Sequence, residues 1–376
     1  RRIELEHERA AISTEINNND IVKRWRRNRG NVFRPDSDAL SDLLYTFTGC
    51  PVLKETKKGP SVDKATLTEL KEENIPEEAV SLIDNVLEFR ASSKTYGTYI
   101  LPLIAQAGKD GIVHPRYRQD KARSYRSSSY DPNIQNPPKS DYRSVFVPKL
   151  DVFLDVDYKQ LEVCIIAMYT QDPVLLEWLK EGIDMHTFWA AYVYDVPESE
   201  ITEEVRSRTK NNFVFALFYG AGINRVATGM GIPYAVARRK VAGFWNVLKG
   251  VKRWQDNLVA KYEANGYVEM ELGFRRPAPI DYNQLINTPI QGTAYHRLLR
   301  AAINIERRLH GLGLHSHGVA EIHDELLIDC KESELEQVYD IVVDEMIDQQ
   351  PKSDPIRLAI SASIGTNWWE QVKYER

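Results

Sequence analysis

VFLDVDYKQLEVCIIAMY, residues 152–169, contains the clearest strand-to-helix pattern in the sequence. Its first part, VFLDVDY, alternates apolar residues in the manner of a β-strand, and the following LEVCIIAMY has the pattern of a buried helix. Asp157 therefore lies where a strand ends, just before a helix begins. Taken alone, an aspartate in this place is most often a cap, so its position does not yet indicate a function.

A second aspartate lies in a comparable place further along the chain. GVAEIHDELLIDC, residues 318–330, predicts a β-hairpin whose turn holds His323, Asp324 and Glu325. Two carboxylates at strand edges suit two-metal phosphoryl transfer, because Mg²⁺ prefers hard oxygen ligands and keeps part of its water. The alternative interpretation is that Asp324 is an ordinary turn residue.

Helical periodicity dominates the rest of the chain. Residues 1–30 and 75–107 predict long helices, since their apolar residues recur three and four apart. Asp184 and Thr202 are candidate N-caps, and Gly220 is a candidate end for the helix that follows Thr202. More helix is predicted to about residue 263.

Two further segments frame these helices. Residues 108–150 are rich in Gly, Ser, Pro and Asn, which predicts an irregular, arginine-rich connector. GYVEMELGFRRPAP, residues 266–279, predicts strands, and residues 287–309 predict a long helix.

The composition is that of a globular protein. Of 376 residues, 43% are hydrophobic and 27% are charged, and no apolar run approaches the length of a membrane span. Three widely spaced cysteines suggest neither a disulfide framework nor a zinc site. The first residues lack the apolar core of a signal peptide, and a start at Arg suggests a fragment or a processed product.

The charge is unevenly distributed. The formal net charge is −5, whereas proteins that bind nucleic acid are usually basic overall. Basic residues nevertheless cluster with aromatic ones in KRWRRNR (23–29) and PRYRQDKARSYR (115–126), which suits contact with phosphates. The alternative is that these clusters are solvated surfaces.

Several motifs lie in order across residues 30–376. DYKQLE (157–162), KNNFVFALFYGAG (210–222) and HDE (323–325) resemble motifs A, B and C of family A DNA polymerases, the class of bacterial DNA polymerase I. The other matching segments, in the family's order, are SYRSSSYDPNIQNPP (124–138), RSVFVP (143–148), EGIDMHT (181–187), NTPIQGTA (287–294) and GTNWWEQV (365–372).

The resemblance implies the α+β right-hand polymerase fold. The expected subdomains are a helical thumb (1–120), a first part of the palm with motif A (121–174), fingers with motif B (175–263) and a second part of the palm with motif C (264–376). Too few residues precede the thumb to hold a proofreading exonuclease, and no DxE-type strand motif appears there. We therefore expect this chain to lack proofreading.

The resemblance also implies a reaction: the addition of deoxynucleoside monophosphates from dNTPs to a primer 3′ end by two-metal phosphoryl transfer. Asp157 and Asp324 would hold two Mg²⁺ ions, with the Tyr158 carbonyl as a further ligand and Mn²⁺ as a substitute. Lys210 joins the two aspartates as a catalytic residue.

Five other side chains match the family's nucleotide-binding positions. Glu162 matches the steric gate against a ribose 2′ hydroxyl. The others would contact the dNTP together with Lys210: His186, Arg206, Phe215 and Tyr219. Cations at such positions offset the charge that builds up on the leaving pyrophosphate. Their alternative roles are a structural histidine and a solvated charged helix face.

Four residues match positions near the primer terminus: Arg126, Asn287, Gln291 and His323. All Watson–Crick pairs present acceptors at the same places in the minor groove, so donors there test pair shape without reading sequence. Two departures concern finer template contacts, namely Asn283, where the family often has arginine, and Val163-Cys164, where Leu-Arg is common.

Motif B contains one residue too many for a regular helix. Counting back from Tyr219 in steps of four gives Phe215 and then Asn211, whereas the expected cations are Lys210 and Arg206. A single π-bulge would absorb the extra residue, and such bulges are frequent at functional sites. The alternative register places Phe218 and Val214 in the positions of the tyrosine and the aromatic residue.

The expected partners are primer-template DNA, dNTPs and replication proteins such as a helicase or a primase. We expect no association with a membrane, and we expect the chain to be a monomer. The expected location is the cytoplasm or nucleoid of a bacterium or phage-infected cell, with an organelle as the alternative.

Two rival functions remain at this point. A single-subunit RNA polymerase would share the aspartates and motif B, although Glu162 and HDE favour DNA. A catalytically inactive polymerase-like module would bind only DNA or a replication partner. The presence of Asp157, Asp324, Lys210 and Tyr219 argues against that second possibility.

Overall fold

A computed structural model describes residues 2–35, 38–107, 110–137 and 139–375. Pro138, which belongs to the quoted segment 124–138, lies outside the described residues. The chain divides into two compact units, Arg1–Arg116 and Tyr117–Arg376. We describe each unit by itself.

The first unit is helical. Its helices are α1 (Arg2–Asn18), α2 (Asp20–Arg29), α3 (Asp38–Ser41), α4 (Lys64–Leu70), α5 (Glu77–Lys94) and α6 (Leu101–Gln106), with π-helical turns at Asp42–Phe47 and Thr95–Ile100 and a short hairpin of β1 (Glu55–Thr56) and β2 (Gly59–Pro60). Buried Val22, Leu44, Leu67 and Leu82 form part of its core.

The two long helices predicted in this unit are confirmed, with interruptions. Asn19 separates α1 from α2, because its side chain accepts a hydrogen bond from the Ile21 amide and so begins a new helix. Gly30 ends α2 in the left-handed conformation, with φ 69°. A π-helical turn at Thr95–Ile100 joins α5 to α6.

The second unit combines helices with a central sheet. Its strands are β3 (Arg116–Arg118), β4 (Ser128–Tyr130), β5 (Val152–Tyr158), β6 (Tyr267–Glu269), β7 (Arg275–Pro277), β8 (His317–Ile322), β9 (Glu325–Cys330), β10 (Ile360–Gly365) and β11 (Val372–Tyr374). Its helices are α7 (Leu161–Thr170), α8 (Pro173–Glu181), α9 (Met185–Tyr194), α10 (Glu203–Thr209), α11 (Phe215–Phe218), α12 (Ile223–Met230), α13 (Tyr234–Val247), α14 (Lys249–Asn265), α15 (Tyr282–Gly311) and α16 (Leu335–Val343).

Shorter helical turns complete this unit. Two are π-helical, Lys210–Val214 and Asp344–Asp348, and three are 3₁₀ turns, Asp141–Val145, Glu198–Glu200 and Glu332–Glu334. The α+β class predicted from the sequence is therefore confirmed. No helix among the described residues is long and apolar enough to span a membrane.

The central sheet has the strand order β11-β10-β5-β9-β8 in the described residues, and neighbouring strands are antiparallel. On β5, Leu154, Val156 and Tyr158 point into the main core of the unit. Phe153 belongs to a smaller cluster on the opposite face. Because strand side chains alternate, Asp155 and Asp157 share the face of Phe153.

The predicted hairpin is present, with one correction. Only His323 and Asp324 form the turn between β8 and β9, because Glu325 already pairs with Ile322 as the first residue of β9. Glu325 also lies opposite Asp157 on β5. The carboxylate assigned to the turn is thus part of the sheet.

The long helix α15 packs against α7 and shares the main core of the unit with the central sheet. It begins at Asp281, whose side chain accepts a hydrogen bond from the Gln284 amide. Buried Ile290, Leu298 and Ile305 anchor it in the same core as β5 and β9. The helix presents Asn287 and Gln291 one turn apart, near its N-terminal end.

Candidate active site

Two aspartates meet where β5 ends beside the β8–β9 turn. Asp157 is the last residue but one of β5, and its partner on β9 is Glu325, directly after Asp324. The Tyr158 amide donates a hydrogen bond to the Asp324 carbonyl oxygen, with an N–O distance of 3.3 Å. The sheet register thus brings together two residues that are far apart in sequence.

Burial and the repulsion from nearby carboxylates raise the pKa of Asp157. Burial raises the pKa of Asp157 to about 7, and the charges of Asp324 and Glu325 act in the same direction, whereas Lys139 opposes them. The Oδ1 atom of Asp157 is buried and has no hydrogen-bond partner among the residues that the structure describes. A cation stabilises a buried carboxylate oxygen that lies near other carboxylates. Asp157 therefore has the properties of a metal ligand.

A second layer of charge lies behind this pair. The buried Glu325 carboxylate accepts a hydrogen bond from Trp368 Nε1 at 3.0 Å and lies 3.5 Å from Arg143 Nη1. The Arg143 guanidinium stacks 3.9 Å from the centre of the Trp368 ring. Burial, with the Glu325 charge, raises the pKa of Asp155 to about 8, while Arg143 opposes that shift.

Asp155, Arg143 and Trp368 have no role predicted from their positions in the sequence. A signal for Asp155 existed, because it lies two residues before Asp157 and a strand places such residues on one face. Arg143 and Trp368 lie in segments matched to the family but are joined to Glu325 only by the tertiary fold.

A cavity of about 810 Å³ opens above the aspartates. Nine of the predicted site residues line it: Asp157, Tyr158, Glu162, His186, Lys210, Phe215, Tyr219, Asn287 and Asp324. The cavity is also lined by Asn211, Arg225 and Asn283. Arg225 and Asn211 were missed, because nothing in their local pattern distinguishes them from surface residues.

The helical wall of the cavity contains the predicted π-bulge. Lys210–Val214 is π-helical and is followed directly by α11, so the extra residue in motif B is absorbed there. Phe215 and Tyr219 line the cavity, with ring centres 5.7 Å apart. Phe218 and Val214 are fully buried in the core, so the alternative register is wrong.

Lys210 is held beside this aromatic pair. Its Nζ lies 5.9 Å from the centre of the Phe215 ring. It makes no ion pair with any of the residues that the structure describes. Its charge is therefore available to an anion in the cavity.

His186 lies at the start of α9. Asp184 caps this helix by accepting hydrogen bonds from the His186 and Thr187 amides, as the sequence predicted. Burial, together with the Lys210 charge, lowers the pKa of His186 to about 4, so its ring is neutral near pH 7. Its Nδ1 atom is buried and has no hydrogen-bond partner in the described part of the chain, and the ring centre lies 5.7 Å from that of Phe215.

Arg206 does not line the cavity. Its guanidinium is paired with Asp184 at 2.7 Å and with Glu203 at 3.2 Å. These pairs connect α10 to the cap of α9. The structure thus places Arg206 next to the helix start that carries His186, with its charge already partnered.

Glu162 is the centre of a hydrogen-bond network on the cavity floor. The Tyr219 hydroxyl donates to Glu162 Oε2, and Arg126 Nη2 lies 3.4 Å from Glu162 Oε1. Burial and the Glu162 charge raise the pKa of Tyr219, while Arg126 and a hydrogen bond from Gln291 oppose the shift. Four predicted site residues therefore form one contact network, although only Glu162 and Tyr219 line the cavity.

His323 and Asn287 are two further residues of the predicted site. His323 is in the β8–β9 turn with φ 62°, and burial and the nearby Arg126 charge lower its pKa. Asn287 lines the cavity, and its buried Oδ1 atom has no hydrogen-bond partner within the described ranges. Polar groups left unpaired in a cavity are candidates for ligand contacts.

Comparison with known proteins identifies chains of similar sequence. The model of the family described as DNA polymerase family A matches residues 4–370. DNA polymerase I of Lactococcus lactis subsp. lactis is 30% identical over 354 residues, which cover 88% of this chain and 39% of that protein. DNA polymerase I of Caldicellulosiruptor bescii is 32% identical over 350 residues, covering 88% of this chain and 40% of that protein. The chain thus spans about two fifths of the length of these relatives.

A solved structure is similar over nearly the whole chain. It is described as the POL domain of Pol1 from M. smegmatis in complex with DNA primer-template and dNTP. The two structures agree with a TM-score of 0.83 at 27% sequence identity, over 97% of this chain and 66% of the other.

Proposed function

The chain belongs to DNA polymerase family A, and we propose that it is a template-directed DNA polymerase that adds deoxynucleoside monophosphates to a primer 3′ end. Its fold is the right-hand polymerase fold that the sequence predicted. The observation that carries the proposal is one cavity lined both by Asp157 and Asp324 and by Lys210, which has no ion-pair partner among the described residues. Lys210 would attract an anionic triphosphate directly, and the two aspartates would do so through the divalent cations that they hold.

The aspartate pair fits divalent cations. The buried, unpartnered Oδ1 atom of Asp157 supports this, since a hard oxygen ligand without a proton donor suits Mg²⁺. Asp157, Asp324 and the Tyr158 carbonyl would hold two Mg²⁺ ions, and Mn²⁺ would substitute for them. No group of three or more His, Cys, Asp or Glu side chains in the described part of the chain is arranged to hold a metal, so substrate oxygens and water would complete the coordination. Such ions polarise the phosphoryl oxygens and activate the primer hydroxyl.

The helical wall would bind the triphosphate. Lys210 supplies a fixed positive charge, and its position beside Phe215 restricts where that charge lies. The neutral His186 ring offers hydrogen bonds rather than charge. Arg206 would act from further away, either by exchanging Asp184 for a phosphate or by holding the start of α9 in place.

Glu162 would select the sugar, and Tyr219 and Phe215 would pack on the nascent base pair. The Glu162 carboxylate is held by Tyr219 and Arg126, so it cannot easily turn aside for a 2′ hydroxyl. A group that cannot move excludes a bulkier substrate by steric clash.

The DNA contacts would come from Arg126, Asn287, Gln291 and His323. Arg126 and Gln291 join the Glu162–Tyr219 network, and His323 precedes Asp324 in the turn. These residues would therefore sense the primer-terminal pair through the same network that positions the sugar gate.

The subdomains follow from the same proposal. We assign residues 1–120 to the thumb, 121–174 and 264–376 to the palm, and 175–263 to the fingers. The relatives are bacterial, so we place the work in the cytoplasm or nucleoid of a bacterium or phage-infected cell. We propose that the chain acts as a monomer with primer-template DNA and dNTPs, next to replication proteins such as a helicase or a primase.

The test is primer extension with purified protein. We expect extension of a labelled DNA primer on a DNA template when dNTPs and Mg²⁺ are present, and none when EDTA is added or when Asp157→Ala is used. Template binding without extension would support an inactive module and contradict the proposal. Preferential use of rNTPs would support the RNA polymerase alternative instead.

A further inference from the structure

A second cavity, of about 550 Å³, lies on the second unit away from the active site. None of the residues that line it lines the active-site cavity. It lies between the C-terminal half of α15 and the tip of the β6–β7 hairpin. We call it the α15 groove, and its defining residues are Tyr125, Phe274, His296, Arg300, Ile303 and Arg307.

Three aromatic rings form a contiguous cluster in this groove, with their planes tilted by 38° and 46° relative to each other. The ring centres of Phe274 and His296 are 4.3 Å apart, and those of Phe274 and Tyr125 are 5.5 Å apart. The Tyr125 hydroxyl donates a hydrogen bond of 2.7 Å to the Arg275 carbonyl, which holds that ring in place. Phe274 is nevertheless 46% exposed, so a large part of a supported ring surface faces solvent.

Two exposed aliphatic residues extend this surface. Leu272, at the tip of the hairpin, is 47% exposed, and Ile303 on α15 is 42% exposed. Both line the groove together with Phe274. Adjacent large apolar residues at a concave surface mark binding sites more often than isolated ones do.

The rim of the groove is cationic. Arg300 and Arg307 lie on the face of α15 that also carries Ile303, at a spacing of three and four residues. Neither makes an ion pair with a carboxylate among the residues described, and Arg300 donates only to the Gln349 carbonyl at 3.3 Å. Asp120 also lines the groove, and its carboxylate accepts hydrogen bonds from Nε and Nη2 of Arg118.

This local charge is opposite in sign to that of the whole chain, whose formal net charge is −5. The groove also lies beside the basic segment 115–126, since Gln119, Asp120 and Tyr125 belong to both. An anionic ligand is therefore favoured at this place rather than over the surface in general.

We propose that the α15 groove binds an unpaired nucleic-acid strand, with bases stacked on Phe274 and Tyr125 and phosphates at Arg300 and Arg307. Aromatic surfaces beside cations suit single strands, because every base has a ring face and every nucleotide carries a phosphate. A duplex offers phosphates but hides its base faces. An acidic peptide would use the cations but would leave the supported rings less well matched, and it is an outcome of the test.

This site goes beyond the proposed polymerase function and does not require extension. The test measures binding of a fluorescent oligo(dT) strand by anisotropy, with the active site filled by excess unlabelled primer-template that has a one-nucleotide overhang. We expect the filled protein to bind oligo(dT), and Phe274→Ala to weaken that binding about tenfold. The double variant Arg300→Ala, Arg307→Ala should lower the salt dependence by about 1.4 in the log-log slope.

Controls separate the groove from general effects. Tyr234→Ala removes a ring that is 52% exposed on α13, outside the groove, and should bind like the parent protein. Phe274→Trp retains a ring and reports stacking by quenching of its fluorescence, so it decides the matter if Phe274→Ala folds poorly. Primer extension by the groove variants should equal that of the parent.

Three results would overturn the proposal. The first is equal oligo(dT) affinity of the parent and of the groove variants. The second is competition by blunt duplex as strong as that by oligo(dT). The third is a Glu- and Leu-rich peptide that quenches Phe274→Trp while oligo(dT) does not. Extension is measured separately, so a failure of the proposed polymerase function would be distinguishable from each of these.

Discussion

We call the end of the central sheet that carries Asp157 and Asp324 the sheet edge. It faces the same cavity as the helical wall, which carries Lys210 and Phe215, but different features of the sequence determine the geometry of the two regions. A strand has a period of two, so a slip of one residue would turn Asp157 into the core, and the register is strongly determined. The wall instead contains one residue too many, absorbed by a π-helical turn.

The two regions should respond differently to substitution, because different interactions hold their geometry. At the sheet edge, the geometry depends on many ladder hydrogen bonds and on buried Leu154 and Val156. At the wall, the phase of Lys210 relative to Phe215 depends on one local irregularity, which is stabilised by buried Phe213 and Phe218 on the other side of the helix. Substitutions at the two places should therefore differ in the size and kind of their effects.

The largest expected effect comes from the sheet edge. Asp157→Asn should reduce the extension rate by about 10³-fold or more, because metal contributions are worth several kcal/mol. The same change should raise the melting temperature of the metal-free protein at pH 8. Burial raises the pKa of Asp157 to about 7, so its contribution to stability is lost as the pH rises through that value, and asparagine avoids the loss. Single-nucleotide extension and thermal melting check both statements.

A matched control lies on the neighbouring strand. Asp329 is buried and accepts hydrogen bonds from the Lys149 and Leu150 amides at 2.7 and 3.0 Å. Asp329→Asn should lower the melting temperature and leave extension unchanged well below it. If Asp157→Asn kept more than a tenth of the parent rate, the metal assignment would be wrong.

The next effect comes from the helical wall. Lys210→Ala should lower kcat about 10²- to 10³-fold without weakening primer-template binding, because a cation aimed at developing charge acts mainly in the transition state. Pre-steady-state incorporation and DNA anisotropy measure the two quantities. Arg208→Ala, on the same helix but paired with Glu204, is the control. A higher KM with unchanged kcat would contradict a role in the transition state.

A smaller effect is expected where the two regions meet. Glu162→Ala should raise ribonucleotide incorporation relative to deoxynucleotide incorporation about 10²-fold, because the space for a 2′ hydroxyl opens. Competition between rNTPs and dNTPs measures the ratio. Glu162→Gln preserves shape but loses the charge near Arg126, so it separates steric exclusion from loosening of the Tyr219 network. Unchanged selection in Glu162→Ala would refute the gate.

The smallest effect tests the register of the wall. Phe215 lacks a hydroxyl, so the parent protein should discriminate against dideoxynucleotides. Phe215→Tyr should reduce that discrimination about tenfold, because a tenfold change corresponds to the free energy of one good hydrogen bond. Chain termination assays measure it. Phe188→Tyr, on α9, is the control, since its ring packs against Trp178. Efficient termination by the unmutated protein would show that Phe215 is misassigned.

Local patterns predicted much of the fold. The alternation of VFLDVDY gave the strand β5 with its observed bounds, and Asp184 and Thr202 cap helices as expected. These elements follow short-range rules of periodicity and capping, which a single sequence contains. The π-bulge was also predictable, because the spacing of recognisable residues left one too many between Lys210 and Phe215.

Contacts between distant segments were not predictable in the same way. Glu325 was expected in a turn, but pairing with β5 places it in the sheet, where Arg143 and Trp368 contact its carboxylate. Arg206 was expected to face the nucleotide and instead pairs with Asp184. Side-chain partners of this kind depend on which surfaces pack together, and no local period encodes them.

The sequence by itself determined the elements, the order of the motifs and the identity of the residues that carry the chemistry, because these depend on neighbours along the chain. The three-dimensional fold makes Asp157 partly buried, places two other carboxylates near it and leaves its Oδ1 atom without a hydrogen-bond partner among the described residues. It also decided that Glu162, Tyr219, Arg126 and Gln291 form one network and that Phe274 remains open in the α15 groove. The physical reason is that burial, electrostatic repulsion and hydrogen bonding act through space, between atoms that the folded chain alone brings together.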